Sequence, residues 1–200
     1  MAVWSLCALD ALATTVLYQD VPALARQADA IVRGTVVRQQ SRWTGDHRRI
    51  VTDVSVRVED VWKDTHPEDP REVVLIRQPG GVVGDIGQRV DGFPSFHEGE
   101  AVLLFLERRP DGSFVVSGAA QGKYRIERSA DGKEELAIPD AHVADARVVD
   151  PSTHAPVQVT QKPRTLTELR MEVARALADV TDPPPSSMLP TIPGKARGSP

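Results

Sequence analysis

The sequence predicts a mainly β domain, a small Greek-key barrel with a short helix before it and a longer helix after it. Three observations carry this. The run Ala101-Val102-Leu103-Leu104-Phe105-Leu106 is bounded on both sides by Gly, Pro and charge, is too short to cross a membrane as a helix, and reads as a strand buried on both faces. Short segments rich in β-branched or aromatic residues surround it, over 31–38, 50–62, 73–76, 114–116 and 122–126, each with turn residues on its flanks. Helical spacing is confined to one place near each end of the chain.

In order along the chain, Asp20 followed by Val21-Pro22-Ala23-Leu24 supplies a cap and a first-turn proline, which predicts a short helix over 21–28. The next strand, 31–38, carries Gly34 in its interior, the mark of a bulge or a close backbone approach. Residues 41–49 contain Thr44-Gly45-Asp46 and read as an exposed, basic hairpin end. From Ile50, Val54, Val56 and Val58 alternate with Asp53, Ser55, Arg57 and Glu59 until Asp60 breaks the period, as an inserted bulge residue does. A loop with Pro67 and Pro70 follows. Gly80, Gly81, Gly84 and Gly87 predict a connecting hairpin; neither the spacing GxxxxGK[ST] nor a following helix marks a phosphate cradle. Pro110-Asp111-Gly112 and Ala130-Asp131-Gly132-Lys133 predict tight turns between the last strands.

The domain plan is a barrel over 14–140, a linker over 141–164, a helix over 165–180 and a disordered tail over 181–200. The helix opens on Thr165 with Glu168 three residues on, a capping box, and sets Leu166, Leu169, Val173, Ala176 and Leu177 on one face. That face is expected to dock on the barrel, the alternative being a partner protein. Residues 1–13 read as the remnant of a signal peptide, ending in the small-x-small Ala11-Leu12-Ala13. The expected compartment is therefore the periplasm, cell envelope or medium, with a cytoplasmic location as the alternative. No other stretch is long and apolar enough to span a bilayer.

With 200 residues, 40% of them hydrophobic, the chain holds one domain with a real core. A net charge of -4 and 4% aromatic residues give neither the broad positive field nor the stacking platforms of a typical nucleic-acid binder. The single cysteine, Cys7, excludes an internal disulfide framework and any Cys-rich metal site. His97-Glu98-Gly99-Glu100 lacks the second histidine of a His-Glu-x-x-His helix and reads as a turn into the buried strand. Neither Ser95 nor Ser117 sits in a Gly-x-Ser-x-Gly elbow, and adjacent acids such as Glu59-Asp60 point to opposite faces of a strand. No catalytic, metal or cofactor site is expected. The candidate ligand-binding loop is Arg38, Arg42, Trp43, His47, Arg48 and Arg49, a basic hairpin end suited to an anionic glycan, a phosphate backbone or an acidic protein face.

Six short strands after one small helix suit a barrel of the oligonucleotide/oligosaccharide-binding (OB) type. More specifically, Ala28-Asp29 with 31–37, the long strand closing on Trp62-Lys63, Gly99-Glu100 before the buried strand, and Asp111-Gly112 resemble the netrin-like domain of tissue inhibitors of metalloproteinases. Pro79-Gly80-Gly81, Gly92-Phe93-Pro94-Ser95-Phe96-His97-Glu98-Gly99-Glu100 and Leu103-Leu104-Phe105-Leu106 also resemble uncharacterised bacterial exported proteins. The leading reading of the residues is a non-enzymatic exported module that binds a protein or envelope component; the resemblance covers roughly 28–128, and its match to the exported proteins brings no known function. The netrin-like resemblance implies, as an alternative, a metalloprotease inhibitor or protease-accessory domain, although the metal-chelating cysteine of the inhibitors has no counterpart at Thr14 or Thr15. A cytoplasmic single-strand nucleic-acid-binding OB fold is the further alternative.

Overall fold

The computed structural model describes residues 15–68 and 71–179. The leader read over 1–13 and the tail read over 181–200 lie outside the described residues.

In chain order the elements are β1 (Thr15–Leu17), α1 (Val21–Gln27), β2 (Ala30–Trp43), β3 (Ile50–Asp64), β4 (Val73–Pro79), β5 (Gly81–Val83), β6 (Ile86–Gln88), β7 (Ala101–Arg108), β8 (Phe114–Val116), β9 (Lys123–Arg128), β10 (Glu135–Pro139), β11 (Arg147–Val149), β12 (Arg164–Thr165) and α2 (Leu166–Ala178). Strands β7, β2, β3 and β4 lie side by side, the spatial order 4-1-2-3 of a Greek key. Strand β8 closes the ring, antiparallel to β7 and parallel to β4 through Ile76 and Phe114. The result is a closed five-stranded barrel, mainly β, with two helices.

The alternation in β7 sorts its side chains into two cores. Val102, Leu104 and Leu106 point into the barrel among Val32, Val54, Val56, Ile76 and Phe114. Leu103 and Phe105 point outward and are just as deeply buried, under α1 and α2 beside Tyr124. A strand buried on both faces has no place for a polar residue, hence the unbroken apolar run. Leu169 and Val173 of α2 enter this second core with Leu24 and Ala25 of α1, so the helix docks on the domain. Each such aliphatic side chain contributes about 1.5–3 kcal/mol on burial. The capping box at α2 is present as predicted, with Glu168 N donating to Thr165 Oγ1 and Thr165 N donating to Glu168 Oε2.

Bulges bend the long β2–β3 pair around the barrel. The register shifts beside Gly34 and again between Ile31 and Val32, leaving Glu59 and Trp62 of β3 unopposed on either side of Asp60. Gly34 lies so near β3 that a Cβ would stand 2.2 Å from the Arg57 carbonyl oxygen. The segment 141–164 differs from the predicted linker. Asp140 caps a short 3-10 turn, β11 pairs in parallel with β1, and β12 extends β10. The barrel boundary at 140 is thus crossed in both directions, because among the described residues β1 finds its strand partner in β11. No helix of the described residues is long and apolar enough to cross a membrane.

Candidate functional site

Two loop elements meet at one end of the barrel and enclose a groove of about 580 Å³. The first is Pro79-Gly80-Gly81. Gly80 and Gly81 take φ of +91° and +133°, which throws the β5–β6 hairpin across the ends of β2 and β3. A Cβ on Gly81 would stand 2.3 Å from Thr52 Oγ1 and 2.4 Å from Ser41 Oγ, so only glycine lets the chain pass. Thr52 Oγ1 donates to Gly80 O at 2.7 Å, and Ile50 N donates to Gln88 Oε1 at 2.7 Å, fixing both ends of the hairpin base.

The second element is the segment from Phe93 to Glu100. Gln39 Nε2 donates to Phe96 O, Gly99 N to Val36 O at 2.8 Å, and Val36 N to Glu100 O at 2.9 Å, stitching the segment to β2. From beneath, Lys123 Nζ donates to Ser95 O, to Glu100 Oε1 at 2.9 Å and to Asp140 Oδ2 at 3.1 Å, and stands 4.9 Å from the Phe96 ring centroid. Lys123 is 2% exposed. An ammonium so enclosed needs its full set of acceptors, and here it finds two carboxylates, a carbonyl and an aromatic face. Asp140 Oδ1 in turn accepts from His142 N at 2.9 Å and faces His142 Nδ1 at 2.8 Å, which sets the imidazole on the groove wall. Chemically the groove has apolar walls from Val82, Val90, Phe93 and Pro94 over a floor of amides and hydroxyls. Gln78 Oε1, in the groove lining, is buried without a hydrogen-bond partner among the described residues.

The predicted loop residues do not gather into one site. Arg38 and Arg42 lie on the outer face of β2, where the register sets Arg38 beside Ser55, and Gln40 beside Asp53 and Arg77. Arg42 and Arg77 both pair with Asp53, at 3.2 and 2.7 Å. Partial burial pushes the Asp53 carboxyl up, but hydrogen bonds from Arg77 and Arg42 outweigh it and leave the group below its ordinary value. Trp43 stacks on His47, centroids 6.4 Å apart, so the indole is used within the hairpin end. Arg48 and Arg49 are exposed at that tip, just before the Ile50 amide that holds Gln88.

His97 to Gly99 form the exposed turn expected of them, while Glu100 is drawn inside by Lys123. Trp62 is half-buried against the second core, donating Nε1–H to Asp60 Oδ2 under the Arg170 guanidinium. Sequence reasoning missed Lys123, Asp140, His142, Gln39 and Gln88. The signal within reach was the pair of Gly/Pro elements, which line one groove here though the sequence separates them. Among the described residues no three His, Cys, Asp or Glu side chains are grouped to hold a metal ion. No protein-family model matches this chain, and a search of the curated proteins finds no match to it.

Proposed function

We propose that this is a non-enzymatic exported binding module that recognises a protein or cell-envelope component, with the groove at the barrel end as its site. One observation carries the reading. Two chain segments are fixed around a concave surface by a buried ion-pair node and by glycines that admit no side chain. Concave sites with apolar walls and a few set polar groups are the usual form of ligand sites. The inhibitor alternative depends on chain before Thr15, and the nucleic-acid alternative on Arg42, which Asp53 engages, and Trp43, which stacks on His47, so both stand behind this reading.

The test is site-specific photo-crosslinking in the native host. A photoreactive residue replaces Val82, which is 65% exposed at the groove, or Met171, exposed on the far side of α2. Adducts from position 82 alone, in a fraction outside the cytoplasm, support the reading. Equal adducts from both positions, or none from 82, contradict it.

A further inference from the structure

We infer that the groove takes an extended peptide segment of a partner protein, paired along the free edge of β6 and carrying acidic residues toward Arg48 and Arg49. This inference rests on the groove being the binding site, and it deepens that reading by naming the chemistry of the occupant.

Three observations point to a peptide. Strand β6 has β5 as its single partner, so the side away from β5 carries main-chain donors and acceptors that no strand of the described chain meets. A row of unpaired main-chain groups is a template for another extended strand. Gly87, midway along β6, puts no side chain over the strand there; a Cβ would only touch Val82 Cγ2, in ordinary contact at 3.8 Å. The remaining requirement is a place for alternate side chains of the added strand. Val82, Val90 and Phe93 offer apolar surface for one set.

The charge of the occupant follows from the tip of the β2–β3 hairpin. Ile50 N donates to Gln88 Oε1, which anchors the end of β6 directly beside Arg49. Arg48 and Arg49 are both exposed there. The neighbouring arginines differ. Arg42 is held by Asp53, and Arg89 by Asp91 and Asp145 at 3.0 and 2.7 Å. The exposed cations nearest the groove are therefore Arg48 and Arg49, at the hairpin tip just outside its lining and with Asp46 beside Arg49, and rim charge of this kind selects partners and steers their approach.

The experiment pans a display library of random ten-residue peptides against the full chain and measures the recovered peptides in solution. The expected peptides alternate apolar residues and carry Asp or Glu at one end. Phe93→Ala should weaken them about tenfold or more. Arg48→Glu/Arg49→Glu, which touches only exposed side chains, should reverse the preference to peptides with Lys or Arg at that end. Methylating alternate backbone nitrogens of a recovered peptide should abolish binding, as loss of main-chain pairing requires. Absence of any enriched peptide, indifference to the charge reversal, or full binding after methylation in both registers overturns the inference. If position 82 still crosslinks a partner in cells under those results, the groove stands as the site and the peptide chemistry alone has failed.

Discussion

Lys123 and Glu100, 23 residues apart in the chain, meet with Nζ 2.9 Å from Oε1, their side chains 3% and 8% exposed. Asp140 completes the node from the opposite side. The node joins β9, the segment ahead of β7 and the turn after β10, so one buried cation fixes the wall of the groove to the sheet. Replacing Lys123 by Met strands two buried carboxylates, and we expect a loss of about 3–5 kcal/mol in urea unfolding. Adding Glu100→Gln and Asp140→Asn to that variant should recover a large part of the loss, because the cost lies in the uncompensated charges.

Tyr124 gives the clearest pH dependence. Burial pushes its phenol up to about 12, and the hydroxyl has no hydrogen-bond partner among the described residues. The folded protein holds the proton that the unfolded chain releases near the ordinary value of 10.0. The stabilisation is therefore complete below that pH and disappears as pH rises through the folded value. Between these limits stability should fall by roughly 2–3 kcal/mol. Tyr124→Phe should remove this fall and, by deleting an unpaired buried hydroxyl, leave neutral-pH stability unchanged or higher by about 1 kcal/mol. Unfolding curves at stepped alkaline pH, with phenolate absorbance as the companion readout, check both.

Gly34 and Gly45 separate a glycine the fold requires from one it does not. A Cβ at 34 meets the Arg57 carbonyl oxygen at 2.2 Å, whereas nothing lies within 4 Å of one at 45. Gly34→Ala should cost about 1–3 kcal/mol through displaced backbone, and Gly45→Ala should stay within about 0.5 kcal/mol of the parent. Thermal melts of the two variants side by side suffice.

A labelled single-stranded oligonucleotide should show no measurable affinity even near 50 mM salt, because Asp53 lies between Arg42 and Arg77 on the barrel face. Binding that falls steeply with salt would instead favour the nucleic-acid alternative.

The parts of this fold that sequence made legible are those where one residue type has one physical use. Gly34 announced the bend, Thr165 and Glu168 announced the start of α2, and the apolar run in β7 announced a strand with two buried faces. The region 141–164 was opaque because β11 and β12 are three and two residues long and take their order from β1 and β10, far away in sequence. Lys123 and Asp140 carry no signal in the sequence, since nothing local distinguishes an ion that will be buried from one that will be solvated. The basic hairpin end was legible as basic and exposed. Its division into Arg42 held by Asp53, a stacked Trp43–His47 pair and an exposed tip at Arg48 and Arg49 needed the register between β2, β3 and β4.

The central claim, that the barrel end is where this protein meets its ligand, is tested most directly by amide hydrogen exchange on the protein alone and with the partner captured at position 82. The account predicts new protection confined to β6 and the flanking residues from 78 to 96, with α2 unchanged. Protection centred on α2, or on the Arg38 and Arg57 face of the barrel with 78–96 unchanged, would contradict it.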